Sequence, residues 1–325
     1  MLREISLNEI SNFLYGQVED KEGITGCTVI ISPTGAVASC SVRGGGPASH
    51  ETELLKPENT IQKIHSVVLS GGSAYGLEAT SGVMKYLEEK NIGFSIGKGV
   101  VPIVCGASIF DLNIGSFFAR PNKEMGYQAC LEAEKKENLK EGNFGAGIGA
   151  TVGKILGTEY SMKSGIGTYA LQLGDLKVGA IVVVNAIGDI FNKRTGLQIA
   201  GLLSEDKLSL SSTLEVMYKN YTETSNISSL NNTTIACIVS NADISKTEAY
   251  RVATLAHNAF AKVINPVHTS MDGDTIFMLA NGDIKTDVDT LATFSIEVLS
   301  EAINRAIYSA DAIEGYPSWK SLQKN

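Results

Sequence analysis

The sequence predicts an α+β protein built as an α-β-β-α sandwich, two stacked sheets with helices on both outer faces. Three observations support this class. The β-type runs follow one another as antiparallel neighbours instead of alternating strictly with helices. Long amphipathic helices fall late in the chain, and 43% hydrophobic content over 325 residues can fill a large core in a single domain spanning 1–325.

Residues 24–43 carry two β-type runs around Ser32-Pro33-Thr34-Gly35, read as two strands joined by a tight turn. Arg43-Gly44-Gly45-Gly46-Pro47 is irregular, and His65 to Ser70 is a buried strand ending in Gly71-Gly72-Ser73-Ala74-Tyr75-Gly76. A helix follows, with Leu77, Val83, Met84 and Leu87 on its inner face. Short strands occupy 94–115, a helix covers about 124–138, and Gly142 to Gly153 interrupts regular structure. Lys177 to Val184 is the most apolar run and reads as a central strand, with Asn185 at its end. The segment 203–231 turns polar and is linker-like, although Leu208, Leu210, Leu214 and Val216 interrupt it. A strand at 234–240 leads to Ser245-Lys246-Thr247-Glu248, a capping box that opens a helix. In that helix Val252, Leu255, Ala256, Ala259, Phe260 and Val263 keep the helical period. A strand at Thr275–Leu279 and an amphipathic helix over about 288–308 complete the order.

Composition excludes several functions. A net charge of −8 without a basic patch disfavours nucleic acid and anionic membrane as partners. Five cysteines with no CxxC spacing, and four histidines with no ligand spacing, indicate neither a disulfide framework nor a metal site. No cofactor is expected. The Gly142–Lys154 stretch fails as a Walker loop because Ile148 and Ile155 stand where Gly and Ser/Thr are needed. The amino terminus lacks a signal-peptide pattern and no apolar run reaches about 18 residues. A cytoplasmic protein is the expectation.

Chemistry concentrates around Asn231-Asn232-Thr233-Thr234, which runs straight into an apolar strand. Locally this is also a plain polar turn. If the chain cuts itself between Asn232 and Thr233, the new terminal residue carries a hydroxyl nucleophile and, in its α-amine, a base. Such an amine has a pKa of about 7.7–8.0, so part of it is neutral near pH 7. Asp272-Gly273-Asp274 sets two carboxylates beside a strand, either as a solvated turn or as groups that orient Thr233 and steady its ammonium. Lys154 is either an exposed lysine or a positive charge beside a glycine-rich wall that admits backbone N–H groups to an oxyanion. Asn185 either caps a turn or donates to that oxyanion.

These residues sit in a series of motifs: Arg43-Gly44-Gly45, Leu69 to Ala79, Ile109-Phe110-Asp111-Leu112, Gly145-Ala146-Gly147 with Lys154, Val183-Val184-Asn185, Asn232-Thr233-Thr234-Ile235, and His268-Thr269 to Asp272-Gly273-Asp274. Through them the sequence resembles, along nearly its whole length, the self-processing aminopeptidase family of D-aminopeptidases and β-peptidyl aminopeptidases. It is most similar to the nylon-oligomer (6-aminohexanoate oligomer) hydrolase branch. The resemblance implies an N-terminal-nucleophile αββα fold, cleavage into 1–232 and 233–325, and a homo-oligomer, a tetramer of processed protomers. It implies hydrolysis of small peptides or amide oligomers, with Thr233 as nucleophile, Asp272 and Asp274 as its acids, and Lys154 and Asn185 as charge and oxyanion partners. Phe110 and Tyr75 are the expected substrate-pocket residues. Phe110 departs from the nylon branch, which has a Tyr there, so that hydroxyl is absent. The alternative is an acyltransferase resembling ornithine acetyltransferases, in which an amine replaces water as acceptor.

Overall fold

A computed structural model describes residues 2–223, 232–313 and 315–323. The principal sheet is assembled from β1 (Leu2–Glu4), β2 (Leu14–Asp20), β3 (Thr25–Val42), β4 (Ala48–His50), β5 (Lys63–Ser70), β6 (Val104–Ser108), β7 (Ile166–Leu173), β8 (Leu176–Val183), β9 (Ile235–Ala242) and β10 (Thr275–Ile284). Its order is β1-β7-β8-β9-β10-β3-β5-β6-β4, with β2 also paired to β3. The β9–β10 and β5–β6 pairs are parallel and the other pairs antiparallel. The main helices are α1 (Ala79–Glu89), α2 (Lys123–Glu134), α3 (Thr213–Glu223), α4 (Lys246–Val263) and α5 (Val288–Ser309).

Side-chain alternation along the strands sorts this sheet into the expected layers. Val178, Ala180, Val182, Ala236 and Ile238 face α4 and α5, burying Val252, Phe260, Leu291, Val298 and Ile303. The opposite set, Ile181, Val183, Ile235, Cys237 and Val239, meets Ile30, Val67, Leu69, Cys105 and Ala107 across the middle of the molecule. On the far side Cys27, Val29, Ile31, Val68 and Val104 pack on α1 and α2. Helix pair, sheet, sheet, helix pair is therefore the stacking order. Each buried aliphatic side chain contributes about 1.5–3 kcal/mol.

Two expectations are corrected. Residues 25–42 form one long strand, not two joined by a turn. Its first half pairs with β2 and β5 and its second half with β10, while β5 continues to Ala36 and Val37 across a register shift between Ile31 and Ala36 that absorbs the Ser-Pro-Thr-Gly stretch. The strand thus passes from one layer to the other. The linker-like segment also folds in its described part, where Leu203 bridges Leu210 and α3 packs Val216 and Met217 on Ile155, Ile187 and Leu202. Its helix start is held by a distant acid, since Asp189 accepts hydrogen bonds from the Thr213 backbone N–H and hydroxyl at 2.7 and 2.6 Å. Residues 224–231, including Asn231, lie outside the described residues. The α4 capping box forms as expected, with Glu248 accepting from the Ser245 N–H at 2.7 Å.

Candidate active site

The site gathers where four neighbouring strands end at the same edge. Because β9 and β10 run parallel, Ile235 pairs with Thr275, and the residues just before each strand, Asn232-Thr233-Thr234 and Asp272-Gly273-Asp274, lie side by side. The antiparallel β8 pairs Val183 with Ile235, which delivers Asn185 to the same place. The end of β3 pairs Val42 with Thr275 and brings Arg43-Gly44-Gly45-Gly46 alongside. Contact requires glycine at the first two of these positions: a Cβ on Gly44 would stand 2.2 Å from the Asp272 carbonyl oxygen and one on Gly45 2.7 Å from that of Ser270.

Thr233 is 4% exposed, and its backbone N–H donates to the Asn185 carbonyl at 3.0 Å. Its hydroxyl donates to the carbonyl of Asn232, the residue before it. That same carbonyl accepts the Gly273 N–H at 2.8 Å. A Cβ on Gly273 would come within 2.7 Å of Thr233 Oγ1, so only glycine leaves the hydroxyl its space. Asp274 Oδ1 accepts the Thr234 N–H at 2.7 Å, and Asp272 Oδ2 accepts the Thr269 N–H and hydroxyl at 2.8 and 2.7 Å. Asp272 Oδ1 is buried without a hydrogen-bond partner among the described residues.

Lys154, 3% exposed, donates to the carbonyl and the side-chain oxygen of Asn185 at 3.0 and 2.8 Å. The Asn185 amide also accepts the Thr151 N–H at 3.1 Å and donates to the Phe110 carbonyl at 3.0 Å. Thr233 N–H and Lys154 Nζ therefore share one acceptor atom. Burial pulls the Lys154 ammonium down to about 7, against the pull of Asp272 and Asp111. Burial first, and then the neighbouring Asp274 charge, raises Asp272 to about 6, opposed by the Thr269 hydrogen bonds and Lys154. Lys154, which shares the Asn185 carbonyl with the Thr233 N–H, and Asp272, whose neighbour Gly273 meets the Asn232 carbonyl, thus both titrate near neutrality, the range in which acid–base chemistry works.

The sequence profile of Peptidase family S58 matches residues 9–320. The chain belongs to this family. This family S58 member is 36% identical over 317 residues to an uncharacterized aminopeptidase of Mycobacterium leprae, covering 90% of this chain and 85% of that protein. It is 30% identical over 269 residues to the 6-aminohexanoate-oligomer endohydrolase of a Kocuria species, covering 83% of this chain and 73% of that protein. Among solved structures it superposes on a Burkholderia beta-aminopeptidase with TM-score 0.70 at 16% identity, covering 99% and 93% of the two chains. The L-aminopeptidase D-Ala-esterase/amidase of Ochrobactrum anthropi, described as a variant of the Ntn hydrolase fold, gives TM-score 0.70 at 15% identity over 94% and 86%. The fold is that of the N-terminal-nucleophile hydrolases, and the S58 member is a hydrolase acting on amide bonds.

The structure brings together Asn232, Thr233, Asp272, Asp274, Lys154 and Asn185, with Phe110 contributing its backbone carbonyl. Among the described residues Tyr75 has no side-chain hydrogen bond to this group; it stands 57% exposed on a single helical turn, Ser73–Gly76, with the Arg120 guanidinium 3.6 Å from its ring centroid. Three contributors escaped sequence reasoning. The Gly273 N–H is a backbone group and leaves no residue-type signal. Asp111 accepts the Gly72 N–H at 2.6 Å and the Thr25 hydroxyl at 2.9 Å, and only its charge next to Lys154 links it to the site. His268 contacts Asp274, six residues away, through a loop whose shape the sequence does not disclose.

Proposed function

We propose that this S58 hydrolase is made active by cutting its own Asn232–Thr233 bond, and that the freed Thr233 is the nucleophile toward short peptides or linear amide oligomers. The observation that carries this reading is the Thr233 hydroxyl buried against the Asn232 carbonyl, which the Gly273 N–H also polarises. In the uncut chain Thr233 Oγ1 attacks the Asn232 carbonyl carbon, and charge developing on its oxygen is held by the Gly273 N–H. The C–N bond then breaks, leaving an ester from Asn232 to Oγ1 and a free amine on Thr233. Water hydrolyses the ester and releases the Asn232 carboxylate.

Before the cut Thr233 has no free amine, so another group must take the hydroxyl proton. Lys154 suits that step. As a neutral amine its two hydrogens serve the two Asn185 oxygens, and its lone pair remains for the proton, which it then gives to the Thr233 nitrogen as the C–N bond breaks. After the cut the α-amine takes over: it accepts the Oγ1 proton as Oγ1 attacks a substrate carbonyl and returns it to the leaving amine, and water then frees the acyl group. Asp274, which accepts the Thr234 N–H, orients the backbone after Thr233, and Asp272 and Asp274 together balance the new ammonium.

The likeness to the 6-aminohexanoate-oligomer endohydrolase and to the aminopeptidases makes amide oligomers and short L-, D- and β-peptides the panel to assay. Thr233→Ser is expected to hydrolyse the best of these within about tenfold of the parent, and Thr233→Ala to lose about a thousandfold or more. An active Thr233→Ala protein refutes the nucleophile. Hydrolysis independent of any amine acceptor is expected, and strict acceptor dependence would instead make it an acyltransferase.

A further inference from the structure

His268 has no part in the chemistry so far, yet it is built into the site. Its backbone lies in the left-handed region at φ 58°, an unfavourable conformation for a residue with a side chain. That twist turns both its backbone N–H and its ring toward one atom, Asp274 Oδ2, at 3.2 Å and 2.8 Å from N and Nδ1. The other oxygen of the same carboxylate takes the Thr234 N–H at 2.7 Å. A chain of hydrogen bonds therefore runs from His268 through Asp274 to the residue that follows Thr233.

The tautomer follows from the surroundings. Nδ1 at 2.8 Å from a carboxylate oxygen must carry the hydrogen, because two lone pairs would repel there. Nε2 is buried with no hydrogen-bond partner among the described residues, and the ring packs against His257 and Phe260 of α4 at centroid distances of 4.7 and 6.0 Å. A proton on Nε2 would be a buried donor with nothing to bind, which is costly. His257 adds no charge, since burial takes its pKa down to about 3. Arg43 lies alongside, its backbone N–H donating to the Asp274 carbonyl at 3.0 Å, and the Asp272 charge on the same loop neighbours Asp274.

We propose that His268 is a positioning residue for the hydrolytic centre: with its backbone N–H and its Nδ1–H both on Asp274 Oδ2, it locks the Asp274 carboxylate onto the Thr234 amide. The proposal rests on Thr233 being the nucleophile. Without the ring donor, Asp274 Oδ2 keeps only the backbone contact at 3.2 Å, the carboxylate is free to turn, and the Thr234 N–H beside the nucleophile loses its fixed acceptor.

Asparagine places a side-chain N–H where Nδ1 lies and tolerates the left-handed backbone, whereas glutamine reaches only the Nε2 position. The test uses full chains made by cell-free translation, pulse-labelled, and chased while the uncut fraction is followed. Parent and His268→Asn chains are expected to cut at similar rates. His268→Ala and His268→Gln are expected to slow by about 10- to 100-fold. If His268→Ala folds poorly, the Asn and Gln variants decide. The inference is overturned if the Gln variant keeps the parent rate, or if the Asn variant is as slow as the Gln variant. A parent chain that stays uncut, with Thr233→Ala no different, overturns the reading of Thr233 instead.

Discussion

At the scale of single residues, the self-cleavage reading gives Lys154 and Gly273 separate duties. Cleavage of the fresh chain is expected to speed up as pH rises through about 7, where the buried Lys154 amine becomes neutral, and then to level off. Lys154→Met should lose that rise in a pH series of pulse-labelled chains; an unchanged profile removes Lys154 as the base. Gly273→Ala puts a methyl within 2.7 Å of Thr233 Oγ1 and is expected to stop cleavage, read as a single band that persists through the chase. The candidate residues were legible in sequence because their types are chemically unusual in their settings: a Thr after two Asn at a strand start, paired Asp around a Gly, an Asn ending an apolar run. Membership of a motif says nothing about a side chain's surroundings: that Tyr75 is exposed under Arg120 had no signal in the sequence.

At the scale of elements, α1 and α2 cross at a reciprocal glycine contact. A Cβ on Gly82 would lie 1.8 Å from the Lys123 carbonyl oxygen, and one on Gly126 would lie 2.0 Å from that of Ala79. Gly82→Ala or Gly126→Ala must push the helices apart, at a cost of about 1–3 kcal/mol or more. A lowered denaturant midpoint with the same slope is expected, and unchanged stability would show that the helices meet differently. Helix periods and the Ser245 capping box were readable because their signals are local. The long strand β3 was not: Ser-Pro-Thr-Gly is good turn chemistry, and only pairing with three partners in two layers makes it a bulge in a continuous strand. α3 was obscured in the same way, since its amino-terminal cap comes from Asp189 far upstream.

At the scale of the whole molecule, four layers, the cores between them and the meeting of β8, β9, β10 and β3 at one edge follow from burial pattern and strand order. The pairing that puts β9 beside β10 in parallel is a property of the assembled sheet and has no local signature. Buried charge also sets the stability profile. Burial brings Lys154 and Lys163 down to about 7 from 10.5, so between those values the unfolded chain binds more protons than the folded one. Stability should therefore rise with pH above 7, by on the order of 1 kcal/mol per unit for each lysine. Burial raises Cys27 and Cys40 to about 12 and lifts Cys105, Cys130 and Cys237 as well. Their ionisation in the unfolded chain near 9 turns the profile over. A urea midpoint higher at about pH 8 than at about pH 6.5 is expected, and the reverse order would contradict these buried ammonium groups.

All of this chemistry depends on whether the Asn232–Thr233 bond breaks. Intact-mass measurement of the purified protein tests that directly. Two chains are expected, one ending at Asn232 and one beginning with an unblocked Thr233, while Thr233→Ala gives one full-length mass. A single uncut mass in a preparation that hydrolyses amides would contradict the account.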